Sequence, residues 1–557
     1  MTSKRFEELN ESMLNRIFDV NPHLATQFGK HDPYDYHMPN GGVKRLRDTM
    51  DILDEWHAEA FELARAEELS FDETISLEVL RVARDAQRFA LEDYPLWRML
   101  PDALEIPGYV FLIMLNREYW PLKRRIEAIT SRIDELPRYL REFRTRFDGE
   151  SKPITLWTDF AMESCAAFPR FLTSLRKGAE GELDASAFAK LRTAADETAE
   201  EIAVHLRWLT RLRESSVSDF HMGKEKFAKL LRVRMFPYTP EETLQIAYRL
   251  LDDMRAEKLS IVRRMSSAGT LETAYQIVRD DTARDFHEVM KETREAVEAA
   301  KMFAQEKKLV TVDPEALLSI VETPEFMSEM VTTAVTDMPA PFESVPRGIY
   351  VQTPPKTEEE LRGVWNHAMI TNTAVHEAYP GHFHQGVMSL KRPWMHQLLE
   401  FLMTSDTIVT AYETQEGWAL YCERMMYDEG FERNDAAALT ILDGAIWRAV
   451  RAVYDVKLAY GDATIEEMSR LLSEEATTPL SAAESDVKGF SRAPGYGLSY
   501  LMGKHMVLEL KKDLEQRLGQ RFDLRKFHDL LAANGNLPFS LARKAVERGM
   551  GFRPDKV

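Results

Sequence analysis

Apolar residues recur at helical spacing over much of the first half of the chain. Spacings of three, four and seven positions place such residues on one face of a helix. Residues 271–308, which are rich in Ala, Glu and Lys, predict one long helix. Residues 186–214 predict another, with the apolar positions Phe188, Leu191, Ala195, Ile202, Leu206 and Leu209.

The segment Thr239-Pro240-Glu241-Glu242 has the sequence of a helix start. A threonine can accept a hydrogen bond from the backbone three residues later, a glutamate there can return one, and proline fits the first helical position. An apolar stripe follows at Leu244, Tyr248, Leu251 and Met254.

The pattern changes after residue 308. Residues 309–312 and 348–352 have the β-branched and aromatic composition of short strands, and residues 331–335 are a third candidate. Thr357, followed by three glutamates, predicts the start of a new helix.

These patterns predict a mainly α fold with two lobes and a few short strands. The N-terminal lobe would be helical and comprise residues 1–310. The second lobe, residues 311–557, would be mostly helical with short strands. No flexible linker marks the boundary, so we expect the lobes to pack as one body.

Composition and charge exclude several classes of protein. The 557 residues carry a formal net charge of −19, which disfavours binding to nucleic acid because phosphate neutralisation needs a basic surface. Only two cysteines, Cys165 and Cys422, are present, which excludes a cysteine-based zinc site or disulfide framework.

The same features lead us to expect a cytoplasmic protein with no membrane segment. A low number of cysteines is typical of proteins in a reducing compartment. The first residues lack the apolar stretch of a secretory signal. The longest apolar run is residues 109–115, whereas a bilayer span needs about 20 residues.

Histidines concentrate in one short region. Five of the 14 lie between His367 and His396. Among them, His376-Glu377 is followed by His382, which is similar to the H-E-x-x-H motif of zinc peptidases. In that motif two histidines one helical turn apart bind zinc, and the glutamate is the general base.

The spacing does not fit a straight helix. Six residues correspond to about 600° of rotation, so the two imidazoles would point roughly 120° apart. Pro380 and Gly381 lie between them. Proline removes a helical hydrogen bond and glycine permits unusual dihedral angles, so a bulge or break there can bring His382 beside His376.

Three segments resemble a bacterial domain-of-unknown-function family, number 885. His376-Glu377-Ala378-Tyr379-Pro380-Gly381-His382 resembles its H-E-A-x-P-G-H signature. The segment from Glu416 to Glu423 resembles its E-G-W-A-L-Y-x-E block. The segment from Arg492 to Tyr500 resembles its P-G-Q-A-x-x-Y block, with Tyr496 in place of Gln. A second histidine usually follows the signature, but Phe383 stands there, so that position cannot supply a ligand.

This family is similar to the zinc peptidases that include Taq-type carboxypeptidases and thimet-type oligopeptidases. The resemblance implies a two-lobed helical metallopeptidase-like fold with a small β-sheet near the active site and a deep central cleft. It also implies a hydrolase of peptide-like bonds with one Zn²⁺ per chain. A catalytic zinc site has three protein ligands and a water. We expect His376, His382 and Glu416 as ligands, with Glu413 as the rival of Glu416. Glu413 and Glu423 could also accept hydrogen bonds from the ligating histidines.

The remaining site residues follow from the chemistry of amide hydrolysis. Glu377 would be the general base. Tyr500, with Tyr496 as second choice, would stabilise the oxyanion. Arg492 would bind a substrate carboxylate. The strand at 348–352, which carries Tyr350, would be an edge strand that pairs with an extended substrate.

We therefore expect a zinc-dependent hydrolase of short peptides or peptide-like amides, with no nucleic-acid or membrane partner. A homodimer is left open. Two alternatives remain: a metal-dependent enzyme that acts on a small metabolite, and a metal-free helical binding or scaffold protein with a decayed site.

Overall fold

The computed structural model describes residues 4–66, 68–147, 149–266, 269–323, 333–401 and 412–552. The first part of the chain is helical. Its α-helices are α1 Lys4–Val20, α2 Pro22–Phe28, α3 Val43–Ala66, α4 Phe71–Arg88, α5 Glu105–Asn116, α6 Leu122–Arg144, α7 Thr155–Ala179, α8 Ala185–Glu214, α9 Lys224–Val233, α10 Pro240–Met265, α11 Leu271–Asp280 and α12 Phe286–Glu306.

Three strands follow, and then a second set of helices. The strands are β1 Leu317–Glu322, β2 Ala334–Asp337 and β3 Arg347–Gln352. The helices are α13 Glu358–Val364, α14 His367–Glu377, α15 His382–Ser389, α16 Leu398–Phe401, α17 Glu413–Asp428, α18 Asp435–Tyr460, α19 Ile465–Ala476, α20 Leu480–Phe490, α21 Leu498–Leu518, α22 Leu524–Ala532 and α23 Phe539–Gly549. The prediction of a mainly helical protein with a small sheet is confirmed.

Local signals in the sequence identified several elements correctly. Helix α8 covers the predicted segment 186–214. Helix α10 begins at Pro240, and Thr239 and Glu242 form the predicted capping box. Thr357 caps α13 by accepting a hydrogen bond from the backbone of Glu360. In each case the determining residues lie within one turn of one another.

The single helix predicted over 271–308 is wrong, because the structure has two helices there. Asp285 caps α12. The chain before it pairs with a distant segment: Thr282 forms a β-bridge with Asn366, and the His367 N–H donates to the Asp281 carbonyl at 3.0 Å. This pairing interrupts the helical pattern and fixes the start of α14.

The strand predicted at 309–312 is also wrong. There the backbone N–H and the hydroxyl of Thr311 donate to the Asp529 carboxylate at 2.8 and 2.6 Å. The Leu309 carbonyl contacts His528 Nδ1 at 2.9 Å. Side chains thus provide hydrogen-bond partners for this backbone, in the way that a neighbouring strand would in a sheet. Of the third candidate, residues 331 and 332 lie outside the described residues, and Ala334–Asp337 forms β2.

The three strands form one sheet in the order β1-β3-β2. Strand β3 pairs in parallel with β1 and antiparallel with β2, and Tyr350 lies opposite Ile320 on one side and Thr336 on the other. The prediction that 348–352 is an edge strand is therefore wrong. Both sides of β3 are occupied by strands, so a substrate cannot pair with it.

The largest cluster of buried apolar side chains contains residues from both sides of the predicted boundary at 310. It includes Phe89, Trp157, Leu230 and Ile261 from the first part and Trp418, Ile446, Val450 and Leu510 from the second. The division into two lobes and the deep cleft stay predictions. Among the described helices, none has the length and apolarity to cross a bilayer.

Helices α17 and α21 pack with their backbones in direct contact at two glycines. A Cβ atom on Gly417 would lie 2.3 Å from the Gly503 carbonyl carbon. A Cβ atom on Gly503 would lie 2.1 Å from the Glu413 carbonyl oxygen. Only glycine permits this approach. It places Glu416, the residue before Gly417, next to the first turn of α21, which carries Tyr500.

We predict that Gly417→Ala lowers the free energy of unfolding by about 1–3 kcal/mol, because the added methyl group meets backbone atoms that cannot rotate away. Gly178→Ala near the end of α7 is the matched control, since its Cβ would have no atom within 4 Å. That variant should gain stability from its higher helix propensity. Urea unfolding curves measure both, and a Gly417→Ala protein as stable as wild type would contradict the close contact.

Candidate metal centre

The H-E-A-Y-P-G-H segment is a tight turn between two helices. Helix α14 ends at Glu377 and α15 begins at His382. The Gly381 N–H donates to the Val375 carbonyl at 3.0 Å, which folds the turn back on α14. A Cβ atom on Gly381 would lie 1.8 Å from the His376 carbonyl oxygen, so a glycine is required there. The break absorbs the two extra residues between the histidines.

Neighbouring elements hold this turn in place. The Trp418 indole N–H, from α17, donates to the Pro380 carbonyl at 2.8 Å. The Thr336 hydroxyl, from β2, donates to the Glu377 carbonyl at 3.0 Å. The last turn of α14 and the start of α15 are thus fixed to both α17 and the sheet.

The result is a convergence of His376, His382 and Glu416. The two imidazole rings have centroids 4.7 Å apart and lie nearly perpendicular, at 89°. Glu416 Oε2 is 3.7 Å from His376 Nε2 and 3.4 Å from His382 Nε2. One potential ligand atom from each residue lies within 4.8 Å of the other two.

These three residues fit a tetrahedral zinc ion. Bonds of about 2.0–2.2 Å to nitrogen and oxygen would set the ligand atoms roughly 3.3–3.6 Å apart. The two distances from Glu416 Oε2 to the histidines are close to this range. The same oxygen is buried and accepts no hydrogen bond from the described residues. A buried carboxylate oxygen without a hydrogen-bond donor is energetically unfavourable unless a cation binds it.

His376 is oriented by Glu423. Its Nδ1 lies 2.7 Å from Glu423 Oε1, and the Asn372 amide donates to Glu423 Oε2 at 3.0 Å. Burial would raise the pKa of Glu423, but the hydrogen bond from His376 and the charges of His376 and Arg448 lower it below its ordinary value. An ionised Glu423 accepts the hydrogen bond of His376 Nδ1, so the other ring nitrogen, Nε2, is the one that faces Glu416.

The candidate ligand Glu416 is held from the other side by two tyrosines. The Tyr496 hydroxyl donates to Glu416 Oε1 at 2.8 Å, and the Tyr500 hydroxyl donates to Tyr496 at 3.0 Å. Burial and the charge of Glu416 raise the pKa of Tyr496 well above its ordinary value, so the phenol stays a donor. Tyr496 therefore orients Glu416, which directs Oε2 toward the histidines.

The turn that carries Tyr496 is clamped by two buried charged groups. Asp455 accepts hydrogen bonds from the backbone N–H groups of Gly495 and Leu498 at 2.7 and 3.2 Å. Arg234, from the end of α9, donates to the Gly495 carbonyl at 2.6 Å. Gly495 has φ +90°, and a Cβ atom there would lie 2.4 Å from Arg234 Nη1. The clamp thus uses both side chains, and the glycine leaves room for Arg234.

Glu413 does not contact the histidines as predicted. Its carboxylate forms a buried ion pair with Arg234. Since a buried guanidinium needs a counter-charge, Glu413 completes the Arg234 side of the clamp.

Two further predicted residues lie outside this cluster of contacts. The Arg492 guanidinium is 3.7 Å from Asp102 and lies over the Phe160 ring. A carboxylate of the protein thus occupies the position predicted for the substrate. Tyr350 is fully buried in the central strand and accepts a 3.4 Å hydrogen bond from Gln352. It is not placed to line an open surface.

Glu377 is placed beside the candidate ligands. It is the last residue of α14, it is 8% exposed, and its Oε2 atom has no hydrogen-bond donor among the described residues. His376, His382, Glu416 and Tyr500 have similar exposures of 6–7%. Each of these side chains thus keeps a small area open to solvent, which is what a recessed site requires.

The sequence analysis missed Asn372, Arg234 and Asp455. Asn372 lies one helical turn before His376, so helical spacing was a signal that could have identified it. Arg234 and Asp455 lie on α9 and α18, far from the motifs in sequence, and nothing local distinguishes them from other charged residues on helices.

Asp455 gives the free energy of unfolding a specific pH dependence. Burial raises its pKa from 3.8 to about 7, against the effect of its backbone hydrogen bonds and Arg234. A carboxyl group with a raised pKa in the folded state contributes stability at low pH that is lost as the pH rises toward that pKa. We predict that the stability of Asp455→Asn relative to wild type increases from pH 4 to about 7 and then stays level.

Urea unfolding at several pH values measures this difference. Asp252→Asn, at an exposed position on α10, controls for the loss of one carboxylate. A difference between Asp455→Asn and wild type that does not change over this pH range would contradict the assignment.

Comparison with known proteins gives a fold and a family. A putative lipoprotein of unknown function from Shewanella oneidensis superposes with a TM-score of 0.74, at 21% identity over 97% of this chain and 99% of its own. A putative lipoprotein from Colwellia psychrerythraea has a TM-score of 0.83, at 16% identity over 98% and 99%. At these identities the likeness shows the fold. No curated protein matches the chain.

The two structures correct the predicted cytoplasmic location. Both of these proteins are described as putative lipoproteins, so the prediction of a cytoplasmic location is wrong. A low cysteine content, on which the predicted location partly rested, fits a reducing compartment but does not exclude other compartments.

A sequence profile described as a bacterial protein of unknown function, DUF885, matches residues 22–546. The match includes the H-E-A-Y-P-G-H turn, the Glu416 block and the Tyr496 turn. The chain therefore belongs to the DUF885 family.

Proposed function

We propose that this protein is a zinc-dependent hydrolase of peptide or peptide-like amide bonds. The observation that carries the proposal is the convergence of His376, His382 and Glu416, with the buried carboxylate of Glu377 next to His376. Two neutral imidazoles and one carboxylate are a donor set of catalytic zinc sites, and a carboxylate beside them is what amide hydrolysis needs as a base.

His376, His382 and Glu416 would hold the ion, and the fourth position would stay open. Zinc bound there would supply Lewis acidity and lower the pKa of a water molecule toward neutrality. Glu423, itself held by Asn372, orients His376, and Tyr496 orients Glu416, through the hydrogen bonds described above. Such preorganisation lowers the free energy needed to gather the ligands.

Glu377 has the position and the free acceptor atom of a general base. Its Oε2 atom can take a proton from the attacking water as the water oxygen bonds to the carbonyl carbon. The same carboxyl group then delivers that proton to the amide nitrogen as the C–N bond breaks. One carboxylate thus serves both halves of the reaction.

Tyr500 is the candidate donor to the oxyanion. Burial and the charge of Glu416 raise its pKa above the ordinary value, so its hydroxyl keeps its proton. That hydroxyl donates to Tyr496 and would turn toward the carbonyl oxygen of a bound substrate. Tyr496 is committed to Glu416, so we assign it a positioning role.

We also propose that the protein is related to Taq-type carboxypeptidases and thimet-type oligopeptidases. The two histidines and the glutamate of the H-E-A-Y-P-G-H turn support this relationship. Short peptides or peptide-like amides are the proposed substrates. Metal analysis after zinc addition separates this function from a metal-free scaffold. A panel of small-metabolite amides tested beside a peptide library separates it from an enzyme of small-molecule metabolism.

We predict that Glu377→Gln retains zinc while peptide hydrolysis falls by about 10²–10⁴-fold, because the amide cannot accept the proton of the attacking water. Elemental analysis and turnover of a peptide library measure the two quantities on one preparation. Glu359→Gln, at an exposed position on α13, is the control. Unchanged turnover in Glu377→Gln would refute the base assignment.

We predict that Glu423→Gln weakens zinc binding by about 10–100-fold, because the hydrogen bond to His376 Nδ1 loses its charged acceptor. Competition with a zinc-binding dye measures the dissociation constant. Asp428→Asn removes a carboxylate from the same helix, where it pairs with Arg424, and serves as control. Equal affinities of the Glu423→Gln protein and the control would show that Glu423 does not support a ligand.

A further inference from the structure

Arg448 lies beside the residues of the candidate metal centre. It belongs to α18, and its guanidinium carbon is 5.9 Å from the centre of the Tyr500 ring. A Cβ atom on Gly444 would lie 3.3 Å from Arg448 Nη1 and 3.8 Å from Glu423 Oε2, so the guanidinium and the Glu423 carboxylate flank the same point on α18.

The guanidinium of Arg448 makes few polar contacts in the part of the chain that the structure describes. Its described hydrogen bond runs from Nη1 to the Gly444 carbonyl at 3.3 Å. Its Nε atom is buried without an acceptor. Among the residues that the structure describes, no carboxylate forms an ion pair with it. Glu423 is near enough to feel its charge, but the two oxygens of Glu423 are occupied by His376 and Asn372.

Two other arginines near this region, Arg451 and Arg492, each have a carboxylate partner. Arg451, which also lies over the Tyr500 ring, forms an ion pair with Asp486 at 2.5 Å. Arg492 lies 3.7 Å from Asp102. A partly buried guanidinium without a carboxylate is unfavourable, because it has lost water without gaining an anion. Arg448 thus lies next to the candidate catalytic groups without an ion pair to any described residue.

We propose that Arg448 binds a carboxylate of the substrate, and that the preferred substrates are peptides with a free C-terminal carboxylate near the cleaved bond. The guanidinium presents paired N–H donors that match the two oxygens of a carboxylate. This inference rests on the proposed hydrolase function. It assigns to Arg448 the role that the sequence had suggested for Arg492, and it favours cleavage near the C-terminus.

The shared chemistry is a carboxylate, and an acidic side chain could supply it as well as the chain terminus. The experiment therefore uses three tetrapeptides: tetra-alanine, tetra-alanine amide, and Ala-Ala-Ala-Asp amide. Binding of each to the zinc-supplemented full-length Glu377→Gln protein is measured by calorimetry. Hydrolysis by the zinc-supplemented wild type is measured by mass spectrometry, with a library of random tetrapeptides prepared as acids and as amides.

The expected result is that tetra-alanine binds about 10–100-fold more tightly than its amide, and that Arg448→Met in the Glu377→Gln background reduces this ratio to near one. Arg424→Met is the matched control, because this arginine of α17 already pairs with Glu257 and Asp428. It should keep the ratio. The wild type should cleave the acid library faster than the amide library. Arg448→Met should cleave the two libraries at similar rates.

Each contrary outcome has a distinct meaning. Equal binding of tetra-alanine and its amide, a ratio that Arg448→Met leaves intact, or no binding of any peptide would overturn the inference. Tighter binding of Ala-Ala-Ala-Asp amide than of tetra-alanine would overturn the choice of the C-terminus. Arg448-dependent binding without cleavage of either library would retain the carboxylate site and refute the proposed hydrolase.

Discussion

The candidate metal centre depends on one backbone contact, in which Gly381 packs against the His376 carbonyl oxygen. A methyl group at that position would lie 1.8 Å from the oxygen, so other residues are excluded. The contact lets the chain end α14 at Glu377 and begin α15 at His382 without a longer loop. Because the two helices meet there at close range, both imidazoles face the same space, which Glu416 enters from α17.

Around this contact, buried charges are arranged in pairs. Glu423 faces His376, Glu413 faces Arg234, and Asp486 faces Arg451. Buried charges are tolerated when each has a partner and hydrogen bonds satisfy the remaining atoms. Within the described part of the chain, Glu416 Oε2, Glu377 Oε2 and the Nε atom of Arg448 are among the buried side-chain atoms that have no hydrogen-bond partner.

Features that depend on residues close together in the sequence could be predicted. Helix caps such as Thr239 and Thr357 depend on residues three positions apart, and both were correct. The histidines and Glu416 could be proposed from a resemblance, which names residues but not their contacts. Features that depend on distant segments were not predicted. Strand β3 pairs with a strand on each side, and Glu413 forms an ion pair with Arg234, 179 positions earlier in the chain. Pairing between such segments leaves no local pattern to detect.

The Tyr496 hydroxyl that donates to Glu416 lies 80 positions later in the chain. The histidines and Glu416 leave the ribosome well before the turn that carries Tyr496. Until that turn is docked between α9 and α18, Glu416 lacks the hydroxyl that directs it. In a growing chain, the three potential metal ligands are therefore synthesised before the hydroxyl that orients one of them.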